Sequence, residues 1–197
     1  MHRPEDTTFS APRFLSFIEL GYLLEAAKAA DDLLMARTPS NLTEDSINTT
    51  GNLNATRQSL LRAVFIASYA VLEQSLDELM LMKKEKHNIN LSPSDLSDRG
   101  IARSITYATK VLGYKINTNS PQLKDLKFIQ DVRNHLVHYG PTFANTKEHN
   151  GRFEKFSRPQ YVTLRPEICF TIEQIERIFS LYLKCIEEIT KHDHEHA

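Results

Sequence analysis

The chain has 197 residues, of which 41% are hydrophobic, so it can bury one sizeable core but is short for two. Its 24 lysines and arginines nearly balance 25 aspartates and glutamates, and the net charge is -1. This balance excludes a chain-wide basic surface of the kind that grips phosphate backbones, so any nucleic-acid contact must be local. We expect a single domain over residues 1–197.

The cysteine content and the distribution of apolar residues indicate the compartment. Cys169 and Cys185 lie among apolar residues and form no disulfide framework, so we expect both to be reduced and packed as small hydrophobes. The N-terminus lacks the apolar segment of a secretory signal, and no stretch approaches the ~18 apolar residues of a membrane span. We therefore expect a cytoplasmic protein that makes no membrane contact.

Apolar residues recur at helical spacing in five stretches, which predicts an all-α fold, an up-and-down bundle of about five helices. A polar segment over 38–54, with Pro39 near its start and Gly51 near its end, is predicted to be a loop. Ser94 or Ser97 is a candidate cap for the third helix, and Pro121 suits the first position of the fourth. The predicted helices span about 9–37, 55–86, 92–113, 121–139 and 171–191.

Residues 143–170 break the helical pattern. Their aromatic residues are separated by glycine and proline, which favours either a short β-hairpin near 150–166 or an ordered loop. Thr171 and Gln174 then have the spacing of a capping box for the last helix. The tail over 191–197 is predicted to be a frayed polar terminus. Its residue types could alternatively hold a divalent transition metal loosely, through His192, His194 and His196 with Asp193 and Glu195.

The fourth helix places an arginine on its apolar face. At ~100° per residue, Arg133 falls on an arc formed by Leu126, Ile129, Val132, Leu136 and Val137. A guanidinium stays charged and its five donors need acceptors, so a partner must meet it there. Glu73, which projects among apolar residues of the second helix, would supply that partner. The alternative is that Arg133 extends its charge to the surface beside an ordinary helix-end histidine.

A polar cluster lies beside that arc. Asn134 and His138 are four residues apart, and Lys127 and Asp131 share their side of the helix. The cluster lies just before the predicted helix end at Gly140, where a loop border opens space. The other histidine of this helix, His135, is predicted to point away from the cluster, to the surface or an interface.

The segment RNHLVHYG, residues 133–140, resembles the signature of the HEPN superfamily (higher eukaryotes and prokaryotes nucleotide-binding). In that signature an arginine is followed by a polar residue, here Asn134, then by three variable positions and a histidine. The segment SYAVLEQSLDEL, residues 68–79, is similar to the superfamily helix whose aromatic, aliphatic and glutamate residues face the motif helix. The rest of the chain matches only in being helical and of suitable length.

The resemblance implies a helical bundle that dimerises, so that two copies of the motif line one cleft. It also implies a metal-independent endoribonuclease that acts as a toxin or as an effector of phage defence. Such an enzyme would need neither a cofactor nor a metal. Some members are instead non-catalytic, and some are paired with nucleotidyltransferases as antitoxins. The candidate catalytic residues are Arg133, Asn134 and His138, with Glu73, Tyr139 and Asp131 in support. In certain toxins a tyrosine in the pattern R-x4-H-x-Y is modified, whereas here Tyr139 follows His138 directly.

The residue types suit this chemistry independently. Histidine titrates near neutral pH, so His138 suits the acid or base that activates a ribose 2′-hydroxyl. Arg133 would neutralise the phosphorane through fork-like hydrogen bonds, and Asn134 would orient the phosphate or the imidazole. The rival interpretation is an interaction module, in which the same helix dimerises or binds a partner such as a nucleotidyltransferase.

Basic residues elsewhere are candidates for contact with an RNA substrate. Several lie in the aromatic segment after the fourth helix, where they would form a flap, although a solvated hairpin is the alternative. The candidates are Lys127, Arg152, Lys155 and Arg158.

Overall fold

The computed structural model describes residues 11–41, 43–143 and 154–191. Within them the chain is an all-α bundle with one short antiparallel hairpin, as the sequence predicts. No helix of these residues is both long and apolar enough to cross a membrane. The elements are α1 Ala11–Ala36, α2 Glu44–Lys86, α3 Gly100–Thr106, α4 Pro121–Tyr139, β1 Thr163–Leu164, β2 Ile168–Cys169 and α5 Ile172–Lys191.

The central helix of the bundle is α2, which contacts α1, α3, α4 and α5. Its 43 residues give it a length of about 65 Å. Phe65, Leu72 and Leu76 recur on one side of α2 and are fully buried, so this side forms much of the core. Ile129 and Val132 of α4 and Ile175 and Ile178 of α5 complete that core.

The predicted loop over 38–54 is wrong from Glu44 onward, because α2 begins there rather than at 55. Thr43 and Ser46 form a capping box, in which the Ser46 N–H donates to Thr43 Oγ1 at 3.2 Å. Further along α2, Arg57 Nη2 donates to Asp31 Oδ2 of α1 at 3.0 Å. The cap and the packing on α1 outweigh the modest helix propensity of serine, threonine and asparagine.

The third helical stretch is divided. A short 3-10 turn, Pro93–Asp95, is closed by the Asp95 side chain, which accepts a hydrogen bond from the Ser92 N–H at 2.7 Å. The true α3 begins only at Gly100 and continues into a π-helical turn at Tyr107–Val111. The predicted caps Ser94 and Ser97 are wrong, because Ser92 precedes the 3-10 turn and Arg99 precedes α3.

The bounds of α4 are as predicted, and the chain beyond it is attached to the hairpin. The helix starts at Pro121 after the Ser120 cap and ends before Gly140, whose φ is +78°. The Ile168 N–H donates to the Pro141 carbonyl at 2.8 Å, so β2 holds the segment that follows the motif. The hairpin itself spans 163–169 rather than 150–166.

Two further predictions about the C-terminal half are confirmed. The Thr171 N–H donates to Gln174 Oε1 at 2.9 Å, and the Gln174 N–H donates to Thr171 Oγ1 at 3.3 Å, which completes the capping box of α5. Cys169 and Cys185 are buried free thiols. Both therefore contribute to the core as small apolar groups.

Candidate functional site

Arg133 lies where α4 packs on α2, and three side chains surround its guanidinium. Its Nη2 is 3.6 Å from Glu73 Oε2, and its Nη1 donates to Asn134 Oδ1 at 3.1 Å. Its Cζ lies 5.2 Å from the centroid of the Tyr69 ring, a cation–π contact. The predicted pair with Glu73 is therefore present.

These contacts position the guanidinium without using all of its donors. The 3.6 Å separation from Glu73 is an ion pair but is too long for a hydrogen bond. The Arg133 Nε is buried and has no hydrogen-bond partner among the described residues. Because 27% of the side chain remains exposed, an anion approaching the surface could still meet the guanidinium.

The surroundings of Glu73 shift the pKa of its carboxyl upward. Burial raises this pKa, the charge of Arg133 lowers it, and the charge of Asp77 raises it further. Burial and the charge of Glu73 also raise the pKa of Tyr69 well above its ordinary value. Tyr69 thus remains a neutral phenol whose ring face can receive the Arg133 cation.

The other two motif residues lie toward the solvent. His138 is exposed in the last turn of α4, and Asn134 is half-buried one turn before it. Because α4 is helical throughout, these residues share one side with Lys127 and Asp131, as the spacing predicts. Asn134 connects the two parts of the site, since it accepts from Arg133 and lies on the His138 side.

Two predictions about the same helix are wrong. His135 is 3% exposed, and its ring stacks on Phe143 at 4.7 Å and meets Phe156 at 5.4 Å. The chain after α4 folds back over this side, which the helical pattern alone leaves open. Val137, assigned to the apolar arc, is instead 46% exposed, and Tyr139 is 53% exposed. An apolar surface therefore flanks His138 on both sides in sequence.

The candidate RNA-binding residues differ in their surroundings. Lys127 and Lys155 converge on Asp131, with Nζ–carboxylate distances of 3.2 and 2.6 Å, and both lysines are largely exposed. Arg158 instead donates to Asp125 at 2.6 Å and lies over the Phe128 ring, so its contacts hold the loop to α4. Arg152 lies outside the described residues.

The two lysines shift the pKa of the Asp131 carboxyl. Burial alone would raise this pKa, but the hydrogen bonds and charges of the lysines lower it below its ordinary value. A lowered carboxyl pKa stabilises the fold above the pKa of the unfolded chain, about 3.9, and this contribution is lost as the pH falls. We expect Asp131→Asn to cost up to about 1 kcal/mol at pH 7, because both lysines are exposed. The loss should be smaller at pH 3, which lies below the pKa of the unfolded chain.

Urea unfolding at both pH values measures this loss. Asp32→Asn, which changes an exposed carboxylate of α1, is the control and should show no such loss. A loss that stays the same at both pH values would contradict the ion-pair explanation for Asp131.

Gly100, which no sequence motif marks, lies against the Glu73 carboxylate. The only signal for it was an isolated glycine inside a predicted helical stretch. A groove at the far end of α4, lined in part by Gln122, Arg177 and Lys184, is also separate from the motif. The histidine-rich tail over 192–197 lies outside the described residues, within which no group of three or more His, Cys, Asp or Glu could hold a metal.

No protein-family model matches the chain, and neither a curated protein nor a solved structure matches it.

Proposed function

We propose that this chain is a cytoplasmic, metal-independent endoribonuclease of the HEPN type, acting as a toxin or defence effector. Arg133, Asn134 and His138 form the active site, and a homodimer brings two copies of it together. Glu73 holds Arg133, while Asp131 and Tyr139 border the site.

The observation that carries this proposal is the state of Arg133. Its guanidinium is fixed between Glu73, Tyr69 and Asn134, yet it retains unused donors and partial exposure. The hydrogen bond to Asn134 and the longer ion pair to Glu73 do not use every N–H of Nη1 and Nη2, so part of the guanidinium fork stays available to an anion. A pre-positioned cation with spare donors suits a charge that develops only during a reaction.

The proposed reaction is an internal transfer at phosphorus. His138 accepts the proton of a ribose 2′-hydroxyl, and the 2′-oxygen attacks the adjacent phosphorus. Arg133 stabilises the negative charge on the phosphorane, with Asn134 holding the guanidinium in place. The bond to the 5′-oxygen breaks, and His138 of the second copy protonates that oxygen. The products are a 2′,3′-cyclic phosphate and a 5′-hydroxyl.

Incubation of the purified chain with total RNA in EDTA tests the proposal directly. We expect cleavage that is undiminished by EDTA, because no step uses a metal. The products should carry 2′,3′-cyclic phosphate ends, which a ligase that needs a 3′-hydroxyl cannot join until the cyclic phosphate is opened and then removed. Absence of cleavage, or products with 3′-hydroxyl ends, would contradict the mechanism.

One observation favours the rival function, a non-catalytic interaction module. Val137 and Tyr139 expose apolar surface beside His138, as a helix that binds a partner would. In this case the chain dimerises or binds a nucleotidyltransferase antitoxin without cleaving RNA. The same assay separates the two functions, since an interaction module leaves the RNA intact.

A further inference from the structure

Gly100, the first residue of α3, lies against the carboxylate that pairs with Arg133. Its φ is +57°, a conformation that L side chains rarely adopt. A Cβ built on Gly100 would overlap Glu73 Oε1 and lie 3.5 Å from Glu73 Cδ. The missing side chain is therefore what leaves room for the carboxylate, whose other oxygen faces Arg133 Nη2.

Neighbouring contacts fix the start of α3 on α2. Arg103 and Ser104 both donate to Asp77, one turn beyond Glu73, with a Ser104 Oγ–Asp77 Oδ1 distance of 2.9 Å. Because α3 is anchored there, Gly100 cannot easily move away from Glu73. A side chain added at position 100 would instead displace the Glu73 carboxylate, which is the end of a flexible side chain.

We propose that Gly100 is a positioning residue of the candidate site, acting through Glu73. It leaves the space that keeps the Glu73 carboxylate opposite Arg133, and this contact sets where the guanidinium lies relative to Asn134. The catalytic consequence rests on the proposed function. The structural consequence, a displaced Arg133, does not depend on the proposed function.

Gly100→Ala and Gly113→Ala form a matched pair. Gly113 also has a positive φ, +75°, but a Cβ built on it meets nothing within 4 Å. Both variants strain the backbone, and only Gly100→Ala pushes on the carboxylate. We expect Gly100→Ala to lower kcat by about ten- to a hundredfold with KM unchanged, as misplaced catalytic groups do. Gly100→Ala should also shift the NMR resonance of the Arg133 Nε–Hε group, which is assigned by its loss in Arg133→Lys. Gly113→Ala should change neither kcat nor this resonance.

The two readouts separate the two proposals. If the wild-type chain cleaves no RNA, the proposed function fails, and the Arg133 resonance still decides the role of Gly100. The same resonance shift in both glycine variants, or in neither, overturns that role. If Gly100→Ala does not fold, the double variant Gly100→Ala/Glu73→Ala removes the overlapping carboxylate. Recovery of the fold then supports the inference, and continued failure overturns it.

Discussion

Replacing His138 with alanine is expected to lower the rate of RNA cleavage by about 10²- to 10⁴-fold, the usual contribution of a general acid or base. The fold should be unaffected, because the imidazole is exposed in the last turn of α4. Initial rates on a fluorogenic RNA in EDTA measure the first effect. Thermal unfolding followed by circular dichroism measures the second.

His87→Ala is the matched control for this prediction. His87 is also an exposed histidine at the C-terminal end of a helix, since it caps α2. Its removal should leave both the rate and the thermal midpoint unchanged. Equal losses in the two variants would indicate a general effect of removing an exposed histidine rather than a catalytic role for His138. An undiminished rate in His138→Ala would remove His138 from the mechanism.

Replacing Arg133 with lysine is expected to lower the cleavage rate by about 10²- to 10³-fold while keeping the fold. Lysine retains a positive charge near Glu73 but lacks the planar fork that can bind a phosphate through two hydrogen bonds. Arg133→Ala should lower the rate at least as much. It should also cost about 1–2 kcal/mol of unfolding free energy, because Glu73, 26% exposed, loses its cation.

A double-mutant cycle identifies the origin of that stability loss. If the lone carboxylate causes it, Glu73→Gln combined with Arg133→Ala should be more stable than Arg133→Ala alone. Arg177→Lys, an exposed substitution on α5, serves as the control and should change neither rate nor stability. A wild-type rate in Arg133→Lys would contradict fork-like binding of the phosphate.

The parts of the fold that the sequence predicted best have strong local signals. The bounds of α4 follow from a proline that starts the helix and a glycine that ends it, and both are short-range steric effects. The capping box of α5 is equally local. The start of α2 was missed because residues 44–54 carry no apolar stripe, and their helix depends on a cap and on packing against α1.

The candidate site also combines features that the sequence predicts with features that depend on distant contacts. The pairing of Arg133 with Glu73 was predictable, because each charge interrupts an apolar helical face and such charges need partners. The burial of His135 was not predictable, because Phe143 and Phe156 reach it only when the chain after α4 folds back.

The sequence alone therefore determined the all-α class, the bounds of the motif helix and the side of that helix on which Asn134 and His138 lie. These depend on periodicity and on steric effects between residues close in the chain. The tertiary structure decided how Glu73 meets Arg133, why position 100 is a glycine and which histidine is buried. Those features depend on contacts between segments distant in the chain, and helical spacing carries no information about them.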